Sequence, residues 1–187
     1  MSSSIKDISL PQNDLHESEA RWFAVHTKYK CEKFVADLLA KKEIAVYVPL
    51  ITNMKKYVSG IKKREVPLIN NYVFVKICKQ EYHSVLSTMY VRGFLKQRKS
   101  LVCIPEREID ILRRVVGELE EVSTSSYDLR TGDIVEIIGG NLTGIQGTLL
   151  QSEGSNRFVV ELESIGMQLS MSVDKNKLRL KKRVLTK

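Results

Sequence analysis

Two short runs of this chain carry residue types that suit a polyanion. Lys28-Tyr29-Lys30 sets two ammonium groups around one ring, and Lys62-Lys63-Arg64 places three cations in succession. Arg92 adds another further along. Lysine and arginine neutralise phosphates and make binding salt-dependent. A tyrosine between two lysines offers a ring face on which an unpaired base stacks. The same residues also suit a solvated charged surface with Tyr29 packed against it. Other chemistry fits poorly. His16, His26 and His83 fall on unlike elements, with no serine, cysteine or carboxylate spaced to form a triad or a metal set. Cys31, Cys78 and Cys103 are scattered and form no Cys-x-x-Cys pair, so neither zinc nor a disulfide framework is expected. Gly139-Gly140 to Gly144 lacks the Gly-Lys-Ser/Thr ending of a phosphate-cradling loop. The expectation is a non-enzyme with no cofactor and no metal.

The distribution of charge supports a polyanion partner. The net charge is +8 over 187 residues. Residues 20–100 hold 17 Lys/Arg against 5 Asp/Glu, while residues 1–19 and 101–122 are each net −3. A basic middle between acidic flanks is an electrostatic footprint. At 43% hydrophobic the chain can build a core. No apolar run approaches the ~20 residues of a membrane span, and residues 1–20 do not read as a signal peptide. A soluble, cytoplasmic monomer is expected, with a flexible polar tail over 1–19.

The positioning elements follow from periodicity. Trp22 to Thr27 alternates as a strand. From Cys31 to Lys42, the residues Cys31, Phe34, Val35, Leu38 and Leu39 recur at helical spacing. Residues 44–50 read as a strand and 53–67 as a basic hairpin turning at Ser59-Gly60. Asn71 to Cys78 is a strand, with Tyr72, Phe74 and Lys76 on one face and Val73, Val75 and Ile77 on the other. A short helix is predicted over 80–89 and a strand near Phe94. Pro105 starts a helix over 105–120, where its missing N–H costs nothing, and Glu106, Glu108 and Asp110 favour its positive end. The polar segment 122–127 reads as a linker between a domain over 20–121 and one over 128–183.

The second domain reads entirely as strands, near 133–138, 145–152, 157–163, 167–173 and 177–180. Its opening is Gly-Asp-Ile-Val at 132–135 followed by Gly144-Ile-Gln-Gly147-Thr148. Gly132, Asp133, Gly144 and Gly147 are read as structural, since glycines this dense among β-branched residues suit tight turns and close backbone approach. The fold class expected is α+β: an N-terminal α/β sandwich on an antiparallel sheet, then a small β-barrel.

This glycine pattern resembles the KOW motif of SH3-like barrels. Trp22-Phe23-Ala24-Val25 resembles the opening strand of NusG-type transcription elongation factors. Residues 65–75 are similar to that family's Pro-Gly-Tyr-Val-x-Val segment, with Asn70-Asn71 in place of Pro-Gly. Val91-Arg92-Gly93-Phe94 and the proline-started helix continue the family order, so the resemblance covers roughly residues 20–182. It implies an elongation or antitermination factor whose first domain binds the clamp of bacterial RNA polymerase through Leu68, Ile69, Tyr72 and Trp22. It further implies contact with upstream or non-template DNA through Lys28, Tyr29, Lys30, Lys62, Lys63, Arg64 and Arg92. The loop at Ile165 and Met167 would recruit a ribosomal protein or the Rho terminator. The charge and the Asn70-Asn71 departure lean toward a specialised paralogue resembling RfaH-like or UpxY-like antiterminators. The alternative is a KOW-containing RNA-binding protein associated with the ribosome.

Overall fold

Alternation along Arg21–Thr27 (β1) builds the centre of the first sheet, because each face of that strand has a partner layer. In the computed structural model, which describes residues 14–57, 60–97, 99–118, 122–126, 132–152, 155–172 and 178–182, β1 pairs antiparallel with Tyr72–Ile77. The elements in order are β1, α1 (Glu32–Ala40), β2 (Ala45–Tyr47), β3 (Leu50–Tyr57), β4 (Gly60–Pro67), β5 (Tyr72–Ile77), a 3-10 turn over Lys79–Glu81, α2 (Tyr82–Leu86), β6 (Val91–Phe94), the two-residue strands β7 (Lys96–Gln97) and β8 (Ser100–Leu101), and α3 (Glu106–Glu118). The sheet order is β2-β5-β1-β6, and β3 and β4 form a separate two-stranded ribbon. Phe23, Val25, Val73, Val75 and Ile77 are buried with Val35, Leu39 and Val85 of α1 and α2. Trp22, Ala24 and Phe74 on the opposite face are buried with Ile109, Leu112 and Val115 of α3.

The C-terminal part contributes β9 (Val122–Ser126), β10 (Ile134–Ile137), β11 (Gln146–Ser152), β12 (Ser155–Leu162), β13 (Met167–Ser172) and β14 (Leu178–Lys182). They form one antiparallel sheet, ordered β14-β10-β11-β12-β13-β9. Gly147 fits where nothing larger does: a Cβ there would lie 2.3 Å from the Val159 carbonyl oxygen and 2.8 Å from the Phe158 ring. Gly144 has φ +85°, a left-handed backbone that side chains disfavour. Gly132 also abuts Leu149, whose amide donates to the Asp133 carbonyl.

Several expectations change. Residues 122–127 were expected to be a linker, but Val122–Ser126 is an edge strand paired with β13, Leu169 opposite Thr124. Polar Ser/Thr residues satisfy a ladder through their backbone as well as apolar ones do. The expected flexible tail is partly tied down: Asp14 accepts the Cys103 amide at 2.9 Å, and His16 O accepts the Lys79 amide. Residues 1–13 lie outside the described residues. The 80–89 helix is cut to a 3-10 turn and one short α-turn. Thr88 bonds back to the Ser84 carbonyl and Tyr90 takes a left-handed φ of 67°. The Ser59 part of the hairpin turn and Leu119 also fall outside the described residues.

Candidate functional site

The proposed partner face is built on the α3 side of the first sheet. Cross-strand pairing sets His26 opposite Tyr72 and Trp22 opposite Lys76. The turn at 68–71 delivers Leu68 and Ile69 to the same apolar cluster. That turn is held from outside: Asn71 has φ 64°, its amide donates to the buried Glu32 carboxylate at 2.7 Å, and its carbonyl accepts the Thr27 amide. Trp22, Leu68 and Ile69 are all buried here, while Tyr72 stays half-exposed. The Trp22 indole donates to Glu106 at 2.9 Å, and Lys76 reaches the same carboxylate at 3.1 Å. These contacts, led by the Lys76 bond, hold the Glu106 carboxyl below its usual range. The Tyr72 hydroxyl lies 2.9 Å from His26 Nε2. Burial, then the positive Arg92, keeps His26 below the ordinary histidine range, so its neutral ring can accept that bond.

The C-terminal sheet is joined to this face through α3. One continuous apolar cluster contains Trp22, Leu68, Ile109, Leu112 and Val115 together with Val135, Ile137, Ile145, Phe158 and Leu162. Polar clasps stand at two places along the helix. Arg114 donates from Nε to the Asn141 carbonyl at 2.6 Å and from Nη2 to the Thr143 carbonyl at 2.7 Å. Glu108, only 3% exposed, accepts the Ser164 hydroxyl at 3.0 Å. Its other carboxylate oxygen is buried without a partner among the described residues. Burial raises its pKa, with the Ser164 bond pulling the other way. Ile165 and Met167, beside Ser164, are half-buried and pack against the shared cluster. Sequence reasoning missed these clasps, because nothing local pairs residue 108 with 164 or 114 with 141.

The cations gather at a different corner. Lys28, Tyr29 and Lys30 occupy the turn after β1 and Arg92 lies on β6, all exposed; Lys62, Lys63 and Arg64 lie on β4. A groove of about 590 Å3 runs between this turn and the β3–β4 ribbon, lined by Tyr29, Lys30, Lys33, Lys62, Lys63 and Arg64. Phe34 was expected within the buried stripe of α1. Instead it is 48% exposed, its ring 5.6 Å from that of Tyr90. Its position at the edge of the stripe was the one signal available. Among the described residues no group of three His, Cys, Asp or Glu side chains could hold a metal ion, and no helix is long and apolar enough to cross a membrane.

Comparison with known proteins gives first a class: this is a transcription factor, of a family whose members are not enzymes. Residues 20–113, half of the chain, match the family model described as transcription termination factor nusG, and the chain belongs to the NusG family. As such it is a transcription elongation factor. The structure is similar to that of Thermotoga maritima NusG, described for its domain interaction: TM-score 0.52, 20% identity, covering 86% of this chain and 96% of that one. The MjSpt4:Spt5 complex in conformation A aligns at TM-score 0.30 and 21% identity, covering 87% and 99%. No curated protein matches the sequence.

Proposed function

We propose that this protein binds the clamp of bacterial RNA polymerase through its N-terminal unit and suppresses pausing and termination. Trp22, Leu68, Ile69 and Tyr72 supply the contact. The reading is supported above all by the convergence of these four residues on one face of the sheet. Aromatic residues that become buried at an interface carry most of its energy, and Tyr72 is the half-exposed aromatic of this face. The C-terminal sheet, clasped to α3, swings off before polymerase engages, a shift of population toward an open form. Opening also frees Ile165 and Met167 to recruit a ribosomal protein or Rho. The basic corner contacts upstream or non-template DNA. The protein works as a monomer in the cytoplasm, as a specialised antiterminator paralogue.

The test is transcription by purified bacterial polymerase across a pause and a terminator. Wild-type protein shortens the pause and raises read-through, and Tyr72→Ala, checked for an unchanged melt, loses both effects. No effect of wild type, with tight binding to folded RNA instead, would favour a ribosome-associated role.

A further inference from the structure

The buried residues of α1 are Glu32, Val35 and Leu39, spaced to share one face of the helix. Val35 and Leu39 are fully buried and apolar, as a core-facing stripe should be. Glu32 stands first in that stripe, only 3% exposed, and carries a carboxylate. A carboxylate out of water is costly unless it is hydrogen-bonded, and an apolar side chain would fill the same position without that cost. Glu32 has a specific partner, 39 positions further along the chain: Oε1 accepts the Asn71 amide at 2.7 Å.

Asn71 has reason to need that bond. It ends the turn before β5 with φ 64°, a left-handed backbone that asparagine tolerates better than most residues but that glycine adopts freely. No proline precedes it to fix the turn from within, since residue 70 is also asparagine. Three bonds from elsewhere fix it instead. The Leu68 amide donates to the Pro49 carbonyl at 2.7 Å, and the Asn71 carbonyl accepts the Thr27 amide at 2.8 Å. Both join backbone to backbone, which any sequence can supply. Of the three, only the Glu32 bond comes from a side chain.

The turn separates residues that share a face. Leu68 and Ile69 precede Asn71, and Tyr72 follows it, with its hydroxyl 2.9 Å from His26 Nε2 and its ring centroid 4.2 Å from that of His26. A change of φ at Asn71 rotates the chain on one side against the other, so Leu68 and Ile69 lose their fixed relation to Tyr72.

We propose that Glu32 is a positioning residue: by holding Asn71 in its left-handed turn, it sets Leu68, Ile69 and Tyr72 in the arrangement that the partner meets. It acts through the turn and not by contact. The inference rests on the clamp reading for the identity of the partner, and on the turn alone for the geometry.

The experiment compares wild type, Glu32→Gln, Glu32→Ala and Glu32→Ala with Asn71→Gly, by NMR and by retention on bacterial elongation complexes. Glu32→Gln keeps the accepting oxygen without the charge and behaves as wild type does. Glu32→Ala leaves the Asn71 amide without its acceptor. Hydrogen exchange at that amide speeds up, the Tyr72 and His26 ring resonances move, and polymerase affinity falls about tenfold, the range of one hydrogen bond to a charged group. Asn71→Gly recovers part of that affinity, because glycine adopts the turn unaided; a loss of core stability would not be recovered by a glycine in the turn. Glu32→Leu, which keeps the stripe filled, replaces Glu32→Ala where that variant does not fold. The proposal is overturned if the variant lacking an acceptor leaves the Tyr72 and His26 resonances where wild type has them, or if Glu32→Gln fails as badly as Glu32→Ala. If wild type itself is not retained, the clamp reading fails, and the resonances still decide the role of Glu32. If wild type is retained and Glu32→Ala is retained equally, the clamp reading stands and the positioning role falls.

Discussion

The face under α3 and the corner after β1 adjoin one four-stranded sheet, yet they are finished in opposite ways. Under α3 the apolar side chains are covered, Trp22 has its hydrogen-bond partner, and Arg114 and Glu108 clasp the C-terminal sheet. At the corner, three rings and a thioether face water and five cations lack an ion pair among the described residues. One surface is already occupied by the chain itself, and the other is exposed. In consequence the corner is accessible as the chain stands, whereas the face proposed for polymerase is largely covered.

Breaking the covered side should cost the most. Leu112, fully buried on α3 within the cluster common to both units, leaves a cavity on substitution. Leu112→Ala should lower stability by about 3 kcal/mol, read as a large drop in the thermal midpoint. A change under about 1 kcal/mol would mean that the shared cluster does not act as one core.

Arg114→Ala removes two charge-assisted bonds to loop carbonyls and should weaken docking by about 1 kcal/mol, discounted for partial exposure. Amide shifts of Thr143 and Ser164 moving toward an undocked position would report it, with the N-terminal core unmoved. Shifts identical to wild type would remove the clasp.

Glu108 adds a pH dependence of known sign. Its pKa is raised above the ordinary 4.5, so the docked form holds the proton more tightly than the open form does. That contribution is complete below about 4.5 and is lost as pH rises through the raised value. Docking should therefore loosen with rising pH in that window, followed through the Ser164 amide. Glu108→Gln should flatten the profile, and an unchanged profile in the variant would assign the effect elsewhere.

The smallest effect sharpens the contrast. Phe34→Ala should change stability by less than about 0.5 kcal/mol, as exposed substitutions do. A loss comparable to that of Leu112→Ala would show Phe34 to be core after all.

Much of this was legible in the sequence. Alternation fixed which residues of β1 and β5 share a face, and Pro105 with the acids after it marked the start of α3. The glycine pattern marked Gly147, whose site has no room for a Cβ. What escaped was set at long range. Val122–Ser126 has no apolar period, so its pairing with β13 comes from ladder hydrogen bonds that any residue supplies. Phe34 falls on the helical stripe by spacing, but α1 is covered only on the side of Val35 and Leu39. The clasps to residues 141, 143 and 164 depend on how two units meet, which no local window contains.

Polymerase binding is proposed for the face carrying Tyr72. Co-sedimentation of the full chain with reconstituted bacterial elongation complexes tests it most directly, wild type beside Tyr72→Ala. Wild type should be retained, and the variant should lose at least about tenfold in affinity, the size of a lost anchor residue. Equal retention of the two, or no retention of either, would contradict it.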